Sequence, residues 1–186
     1  WVQAAPVLTV RDTSWDRSHV WAPSIIERDG TFYMFYTGVS TVPDTCYGWQ
    51  RTGLATSTDL MEWQRLDAPI YACTMVPWTV CDSLKSTTAF RDAFVMPDPA
   101  QEGRWLQYYV TFPAADSANM VVGIATSDGD MRAWSDFGPL WITNRTYSYH
   151  DIIESPHLFE HDGLWYLFFT TNSGQPLSFA TGSDPV

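Results

Sequence analysis

Basic residues are scarce in this chain of 186 residues. Ten lysines and arginines, with Lys85 the only lysine, stand against 21 aspartates and glutamates, for a formal charge of −11. That balance excludes nucleic acid and anionic membrane surfaces as expected partners, because both are held by a basic footprint. No apolar run reaches the roughly 18 residues of a membrane-spanning helix. Helix signals are also few; Thr58-Asp59-Leu60-Met61-Glu62-Trp63 is expected to make one turn at most. The three cysteines and four histidines show no paired spacing of the zinc-binding kind, so neither a metal nor another cofactor is expected. What is abundant is apolar and aromatic: 45% hydrophobic and 16% Phe, Trp and Tyr, which excludes a disordered chain.

Cys73 and Cys81 flank the loop-like stretch Thr74–Val80. A disulfide within that loop, a disulfide from Cys46 into it, and unpaired thiols are the open alternatives. Either bridge implies an oxidising compartment. Asn144-Arg145-Thr146 is a glycosylation sequon only if the protein passes through a eukaryotic secretory route.

Three stretches repeat one theme. Trp21-Ala22-Pro23-Ser24-Ile25-Ile26 leads through Asp29-Gly30 into Phe32-Tyr33-Met34-Phe35-Tyr36. Phe90-Arg91-Asp92-Ala93-Phe94-Val95 leads through Glu102-Gly103 into Trp105-Leu106-Gln107-Tyr108-Tyr109. Glu154-Ser155-Pro156-His157-Leu158-Phe159 leads through Asp162-Gly163 into Trp165-Tyr166-Leu167-Phe168-Phe169. The tail Gly53-Leu54-Ala55-Thr56-Ser57 returns as Gly123-Ile124-Ala125-Thr126-Ser127. Short aromatic runs separated by Asp-Gly turns are strand and hairpin chemistry. A unit of several strands recurring every ~60 to 70 residues marks a radially repeated all-β fold.

The expected architecture is therefore a partial β-propeller of about three blades, each of four antiparallel strands, with repeats near 15–66, 88–137 and 152–186. Rings close with ~4 to 8 blades, so residues 1–186 are read as a single incomplete propeller domain, with at least one further blade on each side. The opening tripeptides, Trp21-Ala22-Pro23, Arg91-Asp92-Ala93 and Glu154-Ser155-Pro156, start the innermost strand of each blade and converge on the axis. Asp92 and Glu154 then face one pocket, with Trp21 on a further wall. Two carboxylates across a pocket are the equipment for glycosidic cleavage, where one protonates the leaving oxygen.

The order of these motifs, each followed by an aromatic hairpin, resembles the five-bladed propeller glycoside hydrolases of families 43, 32, 62 and 68, most nearly 43 and 32. The resemblance covers about residues 15–186, as blades two to four. It implies that Asp92 holds substrate and tunes the acid, that Glu154 is the general acid, and that Arg91 binds sugar hydroxyls. It implies too that Trp21 and Ala22 belong to an apolar wall of the glycone subsite. Ala93 stands where those families carry proline, and Ser155 replaces glycine or cysteine. Their first-blade aspartate, the base or nucleophile, has no counterpart here and is expected upstream of Trp1; Asp12 and Asp16 read as connector residues. The function expected is hydrolysis of furanosidic or xylosidic linkages in plant-type carbohydrate, outside the cytosol, in the extracellular space or periplasm. The alternative is a non-catalytic carbohydrate-binding propeller.

Overall fold

The computed structural model describes residues 1–41, 48–82, 88–116, 119–140, 152–171 and 177–186. Cys46, Lys85 and the 144–146 sequon lie outside these residues. The chain forms three antiparallel sheets in sequence order. In the first, β1 (His19–Arg28), β2 (Thr31–Thr41), β3 (Gly48–Ser57) and β4 (Gln64–Arg65) are neighbours in that order, and β5 (Tyr71–Ala72) also pairs with β3. The second is β6 (Phe90–Pro97), β7 (Arg104–Thr111), β8 (Val121–Asp128) and β9 (Ser135–Leu140). The third has three strands among the described residues: β10 (Ile153–His161), β11 (Leu164–Thr171) and β12 (Ser178–Gly182). Consecutive meanders of this kind are propeller blades.

Local chemistry explains the repetition. Asp29 and Gly30 have φ of 52° and 74°, and Asp162 and Gly163 have 52° and 77°. Both Asp-Gly pairs thus make the left-handed hairpin turn whose twist suits the flanking strands. The Thr58–Trp63 stretch forms a bend rather than a helical turn. Asp59 there accepts the N–H groups of Met61 and Glu62, which makes a turn competitive with helix. Trp63 closes it by donating to the Leu60 carbonyl at 3.0 Å, and Trp134 donates to Met131 at 2.9 Å in the second repeat. The one helical element among the described residues is a 3-10 turn at Cys73–Met75.

The core lies between blades. Phe35 and Leu54 of the first sheet pack with Phe90, Val95, Tyr109 and Trp134 of the second. Leu106, Tyr108 and Ile124 of the second pack with Ile153, Leu158, Leu167 and Phe169 of the third. The other face of the first sheet carries Met34, Tyr36 and Ala55, covered by Leu8, Trp15, Val20 and Trp63. Asp16 pins that covering segment. It is fully buried, accepts Arg11 at 3.0 Å and Arg65 at 2.9 Å, and receives the Tyr36 hydroxyl at 3.1 Å. Its place in the connector is therefore structural.

Of the open cysteine alternatives, the described residues show Cys73–Cys81, with Cα atoms 5.5 Å apart. The closed loop holds Trp78 over Tyr109, ring centroids 6.5 Å apart, and its indole N–H reaches Asp136 at 3.0 Å.

Candidate functional site

The innermost strands β1, β6 and β10 stand side by side, with β6 in contact with both neighbours. Each is interrupted at one point. Pairing with the following strand shifts register between Trp21 and Ser24, between Arg91 and Phe94, and between Glu154 and His157. The second residue of each tripeptide is left-handed: Ala22 at φ 46°, Asp92 at 60° and Ser155 at 53°. Non-glycine residues in that region cost of order 1–3 kcal/mol and persist where surrounding contacts fix them, often at ligand sites. A bulge of this kind re-aims side chains, and here it does so at the same point of all three blades.

The bulge gives the aligned tripeptides their geometry. Trp21, Arg91 and Glu154 occupy the last paired position, while Ala22, Asp92 and Ser155 occupy the left-handed one. Asp92 and Glu154 are therefore one position apart in the repeat, as in the aligned tripeptides. The offset nests them. The Ser155 N–H donates to Asp92 Oδ2 at 2.9 Å. Arg91 Nη2 meets Glu154 Oε1 at 3.1 Å, and its Nε lies 3.8 Å from Asp92 Oδ2. Two carboxylates on one guanidinium lie within the roughly 10 Å span of carboxylate pairs in glycosidases.

Trp21, Gln50, Arg91, Asp92, Glu154 and Ser155 line one cavity of about 450 Å³. Trp21 is 40% exposed, its ring stacked on His19 at 5.0 Å. Ala22 lines a second cavity of about 490 Å³ beyond the bulges, which Asp92, Ser155 and His157 also reach. Of the residues singled out in the sequence, Trp21, Arg91, Asp92 and Glu154 thus share one cavity, and Ala22 belongs to its neighbour. Both are of a size that takes a small ligand.

Electrostatics separate the two acids. Asp92 is 8% exposed, and burial pushes its carboxyl above the usual range, with the charge of Glu154 adding to the rise. The Ser155 N–H and Arg91 oppose that rise without cancelling it. The Glu154 side chain is 38% exposed and open to the cavity.

Two residues of the site escaped the sequence reading. Thr37 Oγ1 accepts the main-chain N–H of Asp92 at 3.0 Å, clipping the second blade's bulge to the first blade. Gln50 Oε1 accepts from the Phe90 N–H at 3.1 Å and from Arg91 Nη1 at 3.4 Å, and so fixes the arginine. Thr37 pairs with Trp21 across the first hairpin; contacts between blades leave no trace in a repeat alignment.

The three consecutive meanders form an arc of a propeller, the fold of solved five-bladed glycoside hydrolases. No family model and no curated protein sequence matches the chain, whereas solved structures do. A family 32 β-fructofuranosidase of Bombyx mori superposes with a TM-score of 0.67 at 17% identity, covering 88% of this chain and 34% of its own. A sucrose-6-phosphate hydrolase of Lactobacillus gasseri gives 0.65 at 20% identity, covering 85% and 29%. A structure from the family 130 group, described as targeting β-1,2-mannosidic linkages in Candida mannan, gives 0.66 at 16%, covering 96% and 54%. The chain thus spans between about a third and a half of the length of these structures.

Proposed function

We propose that this chain carries the substrate-binding arc of a glycoside hydrolase that cleaves furanosidic or xylosidic linkages, with Glu154 as general acid. The observation that carries the proposal is the cavity in which Arg91 bridges Asp92 and Glu154 beside the exposed ring of Trp21. A sugar seated there meets an aromatic wall, a guanidinium for its hydroxyls, and a buried carboxylate. Glu154 is the carboxyl open to the cavity, so it delivers the proton to the leaving oxygen, while Asp92, fixed by the bulge, holds the sugar. The furanosidic preference is supported by the likeness to a β-fructofuranosidase and a sucrose-6-phosphate hydrolase. The Cys73–Cys81 bridge supports an extracytosolic home, since such bridges persist in oxidising compartments.

One observation favours a second reading, a carbohydrate-binding propeller without turnover. Glu154 Oε1 is engaged by Arg91 at 3.1 Å, and that pair must open before the oxygen can deliver a proton. Kinetics on the full-length protein separate the readings. Glu154→Gln is expected to lower turnover of natural glycosides by ~10²–10⁴-fold and to leave sugar affinity within a few-fold. Unchanged turnover removes Glu154 from the acid role; absence of turnover in the wild type, with sugar still bound, establishes the binding reading.

A further inference from the structure

A second cavity, of about 430 Å³, opens on the other side of the first sheet, lined by Trp15, Arg17, Ser40, Thr41, Trp49 and Arg51, with Thr13 and Ser14. Alternation along β3 builds it: Gln50 faces the site above, so Trp49 and Arg51 face away from it. Arg51 pairs with Gly38 across the sheet, and a Cβ on Gly38 would fall 2.2 Å from the Trp15 ring. Glycine there lets Trp15 lie against the strand. The Arg51 guanidinium lies over the Trp49 ring, 5.5 Å from its centroid, and its Nη1 is 3.5 Å from Ser40 Oγ. Arg17 Nη2 reaches the Thr41 carbonyl at 3.3 Å.

The charge here is unspent. Arg11, Arg28, Arg65, Arg91 and Arg104 each pair with a carboxylate. Arg17 and Arg51, like Arg132, have no carboxylate partner among the described residues, although acids outnumber bases about twofold in this chain; of the three, Arg17 and Arg51 alone share a cavity. Burial of Arg51, and then repulsion from Arg17, pull its guanidinium below the ordinary value. The Trp15 indole N–H is buried without a partner as well. Two convergent guanidiniums with hydroxyls match a planar oxyanion, and the two indoles supply an apolar wall for a sugar ring.

We infer that this cavity is a subsite for a uronic acid residue of an acidic saccharide, its carboxylate held between Arg17 and Arg51 and its ring against the tryptophans. The anionic half of the inference stands on the cavity alone; the saccharide half rests on the glycoside hydrolase reading. Titration calorimetry on the intact chain tests both, with trigalacturonate, its fully methyl-esterified form and inorganic sulfate as probes. Trigalacturonate is expected to bind and to weaken at least about tenfold in Arg51→Gln and in the exposed Arg17→Gln, the loss of a charge-assisted contact. Trp21→Ala, which removes the aromatic wall of the proposed catalytic cavity and touches no residue of this one, is expected to leave this affinity unchanged, which separates the two. Ester and sulfate are each expected to bind at least about tenfold more weakly than the acid. No binding, equal binding of the ester, or indifference to Arg17→Gln overturns the inference. Sulfate binding as tight as trigalacturonate overturns its saccharide half and leaves a plain oxyanion site.

Discussion

Asp92 and Asp16 are both buried aspartates, and their surroundings push them in opposite directions. Burial raises the Asp92 carboxyl above its usual range, so its ionisation works against the fold at neutral pH. The penalty is present above the raised pKa and fades as pH falls and the group protonates. Asp92→Asn is expected to stabilise the chain by about 1 kcal/mol at pH 7, a gain that disappears near pH 4, where aspartates protonate. Urea unfolding at the two pH values checks this, and a destabilised variant at pH 7 would contradict it. Burial alone would raise Asp16 too, but hydrogen bonds from Arg11, Ser14 and Arg65 outweigh it and hold the carboxyl below its usual range. Its stabilising effect is complete above the unfolded pKa near 4 and is lost as pH falls through the lowered value. Asp16→Asn leaves two arginines facing a neutral amide, and a loss of about 3 kcal/mol is expected, with acid sensitivity near pH 3 to 4 reduced. A loss under about 1 kcal/mol would place the pin elsewhere. Asp92 was legible because it opens a repeated strand. Asp16 was not, because its partner Arg65 is 49 residues away and nothing between Trp15 and Arg17 marks it as buried.

The hairpins and tails of the repeat were readable at the element scale because they obey local rules. The Asp-Gly turns need left-handed φ, and the paired tails keep Gly53 and Gly123 for a reason the structure supplies. Tyr36 pairs with Gly53 and Tyr109 with Gly123 across neighbouring strands. A Cβ at Gly53 would lie 2.4 Å from the Tyr36 ring, and one at Gly123 would lie 2.3 Å from the Tyr109 ring. The rings therefore fold over glycine and carry the core on their far side. Tyr109 cannot yield, packed as it is between Phe90 at 4.4 Å and Tyr71 at 5.5 Å. Gly123→Ala is expected to cost about 2–3 kcal/mol through overpacking. Gly30→Ala meets no atom within 4 Å and carries only the strain of φ +74°, about 1 kcal/mol. Denaturant titration of the pair decides the point; a loss at Gly123→Ala no larger than that at Gly30→Ala would mean that the Tyr109 ring gives way. The one-residue offset of Asp92 from Glu154 was already legible in the aligned tripeptides. What the repeat could not show was its consequence, because only the register breaks after Arg91 and Glu154 and the left-handed φ of Asp92 and Ser155 bring the Ser155 N–H onto the Asp92 carboxylate.

Blade stacking governs the molecule as a whole, and it makes the two faces of the third sheet unlike. One face, with Leu158, Leu167 and Phe169, is buried against the second sheet. The other carries Phe159, Tyr166, Phe168 and Phe179 as a stacked ladder, Phe159 to Phe168 at 5.7 Å and Phe168 to Phe179 at 5.5 Å. Phe159 is 43% exposed and Phe179 59%. The first two sheets, by contrast, are covered on both faces. A contiguous aromatic face of this kind is an association surface in soluble proteins. The second sheet satisfies the equivalent need by packing between the first and the third, so a sheet of like construction is the cover that this face fits. A second copy of residues 1–186 carries such a sheet. Concentration-dependent self-association is therefore expected in sedimentation velocity. The double substitution Phe159→Ser with Phe179→Ser should shift the chain towards monomer without loss of folded signal, because neither ring contributes to the buried core between blades. A wild-type chain that stays monomeric at its highest attainable concentration would show that the ladder is shielded within its own sheet.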